Sequence, residues 1–184
     1  MREIIQCKLQ RIEKKMTDLR SFIAAQQAAR QSRPDQQVDW LRRKEKWISE
    51  LDALLKRIQT QLQTAGMTQE QMEVTHHRIH EETLGSYVAN GLKLDIGLGW
   101  VTFEPIGSVI IGGYGRVDVK GPARDEKVKL IAHDVNEQRS QDDQTPSYER
   151  DWTWSVYPER ASRVCYPLDE AGLTRLLETV VGAV

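Results

Sequence analysis

The sequence predicts an α+β protein in two parts. An N-terminal antiparallel helical hairpin or coiled coil should precede a small antiparallel β-meander domain, barrel- or sandwich-like, with a C-terminal helix packed on it. Apolar residues recur at heptad spacing through the first third of the chain, and most of the twelve glycines fall between Gly85 and Gly121, among short alternating runs. We therefore divide the chain into a helical hairpin over 1–66, a connector helix over 67–86 and a β-rich domain over 87–184.

The first predicted helix has neither proline nor glycine between Arg2 and Arg30. Its apolar residues are alternately four and three positions apart, which is the 3.5-residue repeat of a coiled-coil seam. Pro34 cannot lie inside a helix and disfavours helical backbone at the residue before it, so the helix should break near 31–35. The residues of this first seam are Ile5, Leu9, Ile12, Met16, Leu19 and Ile23.

A second seam follows the break with the same spacing, and Lys44 occupies one of its positions. A polar residue in a seam lowers stability but can fix register or partner number. Trp40, Trp47 and Leu54 widen the stripe, and Gly66 is a typical end for the helix. The apolar residues of this second seam are Leu41, Ile48, Leu51, Leu55, Ile58 and Leu62.

Self-association is the expected consequence of the two seams. A two-helix hairpin buries only one seam, so its remaining apolar flank favours pairing with a second copy into a four-helix bundle. The alternative is one long helix, bent at Pro34, that pairs in parallel with another chain. We expect the residues of both seams to form the partner interface, and we expect replacement of Leu51 and Leu55 by aspartate to abolish it.

The connector helix is predicted over Thr68–Leu84, because Thr68 and Gln71 have the spacing of a capping box. On such a helix His76 and His80 would share a face, as two zinc ligands do. A zinc-protease helix needs a glutamate directly after the first histidine, and His77 occupies that place. A solvated histidine cluster is therefore favoured over a metal site, and we predict no metal ligand.

Glycine-separated runs predict the strands of the second half. Because a strand follows Gly112 and Gly113, we interpret them as a tight turn and not as a phosphate-binding loop, which would open a helix. Asp169 should cap the last helix, whose apolar stripe would pack on the sheet. The predicted strands are Leu92–Ile96, Trp100–Glu104, Ser108–Ile111, Tyr114–Lys120, Lys127–Val135, Asp151–Tyr157 and Arg163–Tyr166.

The composition limits the choice of partners. The formal net charge is -1, so no global basic field draws the chain to nucleic acid or to an anionic membrane. Lys and Arg are in excess over Asp and Glu within residues 1–66, which on long helices is typical of a solvated face. No run approaches the ~20 apolar residues that span a bilayer. Two distant cysteines, Cys7 and Cys165, suit a reducing compartment, so we expect a cytoplasmic protein.

These observations favour a non-catalytic scaffold, adaptor or accessory subunit that mediates protein–protein assembly, most simply as a homodimer. We predict no catalytic residue and no cofactor. The alternative is a nucleic-acid-binding module that uses the basic hairpin or an aromatic face of the sheet, on which Trp100, Trp152 and Trp154 could stack bases. A third hypothesis, a metal-dependent enzyme built on the histidine cluster, is less favoured.

Overall fold

A computed structural model describes Ser21, Ala24 and residues 39–97, 99–136, 145–158 and 164–182, without the side chains of residues 124–126. The chain divides into two compact units, Met1–Val38 and Asp39–Val184. In the first unit the two described residues are helical. The second unit contains a long helix, an antiparallel sheet of seven strands and a short C-terminal helix.

The sheet is a meander in which each strand pairs with its neighbour in sequence. Among the described residues, β1 and β7 are therefore the two edge strands. The helices are α1 Trp40–Thr64 and α2 Glu170–Val181, and the strands are β1 Met72–Glu81, β2 Gly85–Asp95, β3 Trp100–Gly107, β4 Gly115–Gly121, β5 Arg124–Asp134, β6 Trp152–Tyr157 and β7 Tyr166–Pro167.

Both helices pack on one face of the sheet, which we call the helix face. A Cβ at Gly115 would overlap the ring of Trp47 from α1, and a Cβ at Gly121 would overlap the backbone of Val180 from α2. The two glycines begin and end β4, so the central strand lets both helices approach its backbone closely. The opposite face, which we call the open face, has no described helix on it.

Helix α1 begins where Asp39 accepts a hydrogen bond at 3.1 Å from the backbone N–H of Arg42, which satisfies one free donor of the first turn. It ends before Gly66, whose φ of 100° is accessible mainly to glycine. Its apolar stripe is buried with the helix-face residues of the strands in one hydrophobic core. Neither α1 nor α2 has the length and apolar character required to cross a bilayer.

The predicted N-terminal helical hairpin or coiled coil is wrong. Its second arm exists as α1, but Leu51, Leu55 and Ile58 are at most 5% exposed because they pack into the core shared with the sheet. The reason is physical: an apolar stripe requires burial but does not specify whether another helix or a sheet buries it. The residues predicted for the first arm lie outside the described residues, apart from Ser21 and Ala24.

The predicted connector helix over 67–86 is also wrong, because strand β1 occupies the middle half of that segment. The capping box is present: the side chain of Gln71 accepts from the backbone N–H of Thr68 at 2.9 Å. It caps only the single 3-10 turn Gln69–Gln71, after which the chain becomes extended. Pairing with β2 along the whole of β1 satisfies the half of its backbone groups that points into the sheet.

The buried face of the β1–β2 hairpin changes along its length. Met72 is buried near the start of β1, and Ile79 is buried near its end, although their odd separation places them on opposite faces of the strand. The change occurs beside Gly91, where a Cβ would lie 2.6 Å from the carbonyl oxygen of Phe103 and 2.6 Å from Oγ1 of Thr75. Only glycine leaves room for the hairpin to coil over the sheet at this point.

Candidate functional site

The outer edge of β1 is the feature that the fold leaves open. The strand has ten residues, and it pairs with β2 without a bulge from Met72 to Glu81. It contains no proline. No described strand pairs with its other side. Half of its backbone N–H and C=O groups therefore point away from the sheet, where another extended segment could bond to them.

The part of the β1–β2 hairpin nearest its turn is not paired with β3. Strand β2 pairs with β3 only from Leu92 to Asp95, so we call residues 75–91 the arm. Val74, at its base, is 46% exposed, and Val88, within it, is 55% exposed. Val88 pairs with Arg78, which lies four positions after Val74 in β1. Because side chains of a strand alternate between its faces, the two valines lie on the same face of the hairpin. The open edge is thus flanked by exposed apolar surface.

Glu81 anchors the tip of the arm. Its Oε1 accepts hydrogen bonds from the backbone N–H of Ser108 at 3.0 Å and of Val109 at 2.6 Å, and its Oε2 accepts a short one from the hydroxyl of Tyr87. A carboxylate that accepts several hydrogen bonds makes stronger contacts than a neutral acceptor does. The arm is therefore tied to the loop between β3 and β4, residues 108–114.

Arg43 of α1 holds the same loop from the other side. Its Nη2 donates to the carbonyl oxygens of Ser108 at 2.9 Å and Tyr114 at 3.0 Å, and the guanidinium lies over the rings of Tyr114 and Trp152. The side chain is only 8% exposed. Burial lowers the pKa of Arg43, and the charges of Tyr114 and Glu81 oppose that shift. A buried cation and the Glu81 carboxylate together fix the loop and, through it, the arm.

The polar groups of this junction are not all paired. Arg43 Nε, Trp47 Nε1 and Ser108 Oγ are buried without a hydrogen-bond partner among the described residues. Leaving a buried donor unpaired costs about 1–3 kcal/mol. Arg43 of α1 and Glu81 of the arm both bond to backbone atoms of the 108–114 loop, so together they hold α1, the loop and the arm in place.

The hydroxyl of Tyr87 gives the junction a measurable pH dependence. Burial, followed by the hydrogen bond to Glu81, raises the pKa of Tyr87 well above its usual range. The neutral phenol is thus favoured by folding, so its contribution is complete below pH ~10 and is lost as the pH rises above the unfolded-state value. We expect stability between about pH 10 and 12 to fall more steeply in the wild type than in Tyr87→Phe, measured by urea unfolding. Parallel curves for the two proteins would contradict this.

The histidine cluster lies in β1 and not on a helix. His76 and His80 share one face of the strand, where they bond to Asn90 at 2.9 Å and to Ser86 at 3.0 Å. His77 lies on the other face, 2.8 Å from Oγ1 of Thr75. Within the described part of the chain, no group of three or more His, Cys, Asp or Glu residues is arranged to hold a metal ion. The three imidazoles instead bond to neighbouring side chains of the β1–β2 hairpin.

The predicted aromatic platform is divided between the two faces of the sheet. Trp152 and Trp154 are 8% and 4% exposed on the helix face, so they cannot stack on bases, and this part of the prediction is wrong. Trp100 is 46% exposed, with Nζ of Lys93 3.9 Å from its ring centroid. A cation already covers this indole.

The open face carries an ion cluster centred on Asp118, which is 2% exposed. Arg116 donates to both carboxylate oxygens of Asp118, at 2.6 and 3.0 Å, and Lys127 lies 3.2 Å away and also within 3.6 Å of Glu104. Burial acts to lower the pKa of Lys127, but the hydrogen bond and charge of Asp118 outweigh it, so the pKa is raised. Arg116 and Lys127 thus balance the negative charge of Asp118, as is usual for a buried carboxylate with a structural role.

The predicted interface residues divide into three groups. Leu51, Leu55, Ile58 and Leu62 are core residues, so their assignment to a partner interface is wrong. Ile48 is partly buried against the core, whereas Leu41 is 59% exposed. The remaining six, Ile5, Leu9, Ile12, Met16, Leu19 and Ile23, lie outside the described residues.

Sequence reasoning missed the open edge because it assigned the segment to a helix. The β-branched residues Val74, Thr75 and Ile79, followed by a three-residue turn at 82–84 and a further run with Tyr87 and Val88, were the signal for a hairpin. Comparison with protein-family models, with curated proteins and with solved structures finds no match to this chain.

Proposed function

We propose that this protein is a non-catalytic adaptor or accessory subunit that binds a protein partner by strand addition along the outer edge of β1. The observation that carries the proposal is the unpaired, bulge-free, ten-residue edge among the described residues. An extended segment that pairs with such an edge gains main-chain hydrogen bonds, while alternate side chains provide selectivity. As part of the same proposal we assign the protein to the cytoplasm, since its two distant thiols suit a reducing compartment.

Natural sheets protect an edge with charged side chains, proline, bulges or short strands, because an unprotected edge pairs unselectively. Of these protections, β1 has charged side chains alone. Strand β1 has neither a bulge nor a proline, and its length exceeds the common five to six residues. The exposed Val74 and Val88 add apolar contact area beside the edge. The bonds of Glu81 and Arg43 to the 108–114 loop hold the arm in place before binding, which lowers the entropy that association must overcome.

Adjacent proline substitutions at Thr75 and His76 test the proposal. Successive residues of a strand direct their N–H groups to opposite sides, so one of these two donates to β2 and the other points outward. Proline at the inward position should destabilise the fold by about 2 kcal/mol or more, since it removes a ladder bond. Proline at the outward position should leave the thermal unfolding temperature within a few degrees of wild type.

The stable proline variant is then the informative one. Tagged wild type and that variant are purified from the native host, and their co-purifying proteins are compared by mass spectrometry. We expect at least one protein to co-purify with the wild type and not with the variant, and we expect the β1 amides to exchange more slowly in that complex. Equal recovery of every protein by both would contradict strand addition.

A second candidate, nucleic-acid binding on the open face, is favoured only by the exposed ring of Trp100 beside Lys93. Stacking platforms of this kind bind single strands with a strong dependence on salt. Glu104 and Asp118 lie among the cations of the same face and reduce its positive potential. Oligonucleotide binding that weakens steeply with salt and is lost in Trp100→Ala would favour this candidate over the adaptor.

A further inference from the structure

We infer that the segment added to β1 is β1 of a second copy of this chain, in antiparallel orientation, with Thr75 on the two-fold axis. This inference rests on the proposed function, because it names the partner of the same edge. It is argued from the pattern of polar side chains along β1, in which the carboxylate of Glu73 lies near the beginning and the imidazole of His77 lies in the second half. An antiparallel copy brings the beginning of one strand opposite the second half of the other.

Symmetry limits the registers that need to be considered. In a continuous sheet with a two-fold axis perpendicular to it, each residue faces a residue on the same face of the strand. One face of β1 carries Glu73, Thr75 and His77, and the other carries Val74, His76 and Arg78. Each possible axis residue then defines a complete set of opposing pairs.

The axis at Thr75 gives the most favourable set. Glu73 faces His77 of the second copy twice, once on each side of the axis, and the imidazole can donate to the carboxylate. Thr75 faces Thr75 of the second copy, a pair that is favourable across strands. On the other face Val74, which is 46% exposed in the single chain, faces His76 of the second copy and becomes covered.

The neighbouring registers are poorer. An axis at His77 places Glu73 opposite Glu81 of the second copy, and directly opposed like charges destabilise a strand pair. That arrangement would also compete with the bonds that Glu81 makes to the 108–114 loop. An axis at His76 places Glu73 opposite Ile79, and an axis at Val74 places it opposite Thr75, so in neither register does the carboxylate face an imidazole. Of these registers, the one centred on Thr75 alone places Glu73 opposite His77.

A reciprocal charge exchange tests this register. Glu73→Lys and His77→Glu should each raise the dissociation constant of the dimer by roughly tenfold, because each variant removes the two symmetric pairs of Glu73 with His77. The double variant places opposite charges across the axis and should return the constant to within about threefold of wild type. Sedimentation equilibrium at loading concentrations from about 1 μM to about 1 mM measures dissociation constants across that range.

Glu70→Lys is the matched control, because it makes the same charge change in the 3-10 turn outside the paired segment. It should leave the dissociation constant unchanged. Thermal unfolding of each variant separates weakened association from weakened folding, which matters because Glu73 also pairs with Lys93 at 3.8 Å.

A single-chain mass at every concentration would overturn the inference, as would a double variant no tighter than the single ones. These results are distinguishable from failure of the proposed function. If the wild type stays monomeric while the proline variant loses a co-purifying protein, strand addition stands and the second copy is the wrong partner. If the wild type stays monomeric and the proline variant loses nothing, both are wrong.

Discussion

Replacement of Leu51 with aspartate is expected to unfold the protein and not merely to separate two copies. Leu51 is 0% exposed in the centre of α1, within the core shared by the helix and the sheet. A carboxylate there would lack a hydrogen-bond partner, and the lost apolar burial adds to that penalty. We expect a loss of about 4 kcal/mol or more, a large part of the 5–15 kcal/mol that stabilises a typical domain. Urea unfolding followed by circular dichroism measures it.

Leu41→Asp is the matched control, since it makes the same substitution in the same helix and at the same kind of seam position. Leu41 is 59% exposed, so we expect a change within about 0.5 kcal/mol. If Leu51→Asp instead keeps its stability and halves a dimeric mass, the seam of α1 is an interface after all, and the packing of α1 on the sheet is wrong.

Gly115→Ala has the second-largest expected effect. A Cβ at this position would overlap the indole of Trp47, whose side chain is 0% exposed and packed on Trp154 with ring centroids 6.2 Å apart. Because the indole is buried in the core, a methyl group at position 115 forces the ring or α1 to shift away from β4. Overpacking of a dense core costs about 1–3 kcal/mol, and we expect the upper part of that range or more.

Gly112→Ala separates steric overlap from backbone strain. Gly112 has a φ of 82°, but no atom lies within 4 Å of the position that a Cβ would occupy, so its substitution should cost only about 1 kcal/mol. Adding Trp47→Phe to Gly115→Ala should recover part of the loss, because the smaller ring leaves room for the methyl group. Equal costs for the two alanine variants, or strict additivity with Trp47→Phe, would contradict close packing at Gly115.

Part of the fold was accessible from the sequence. The end of α1 at Gly66, the Asp169 cap of α2 and the strand at Trp152–Tyr157 coincide with predicted elements. These positions depend on local chemistry, namely a glycine with positive φ, a side-chain cap and strict alternation of large apolar residues. What faces the stripe of α1 depends instead on residues such as Gly115 and Trp154, which are distant in sequence. The sequence alone does not show that contact, so it gives no basis for deciding whether a sheet or another helix covers the stripe of α1.

The assignment of β1 failed for a more specific reason. Met72 and Ile79 are both buried, and their separation of seven positions mimics a helical repeat. The mimicry arises because the hairpin changes its buried face beside Gly91, so neither face shows the simple alternation of a strand. The predicted strand Ser108–Ile111 is also wrong. This segment is a loop held by Arg43 and Glu81, and Ile111 at its tip is fully exposed.

The neighbour-to-neighbour order of the strands has a consequence for synthesis. Each hairpin can form as soon as its two strands exist, since closing a short loop is fast and entropically cheap. Helix α1 cannot complete its contacts so early, because Arg42 lies 107 positions before its partner Glu149. At about 5–20 residues per second, the helix emerges from the ribosome roughly 5–20 s before that partner. During that interval the sheet cannot cover the stripe completely, because Trp154, on which Trp47 packs, also emerges late.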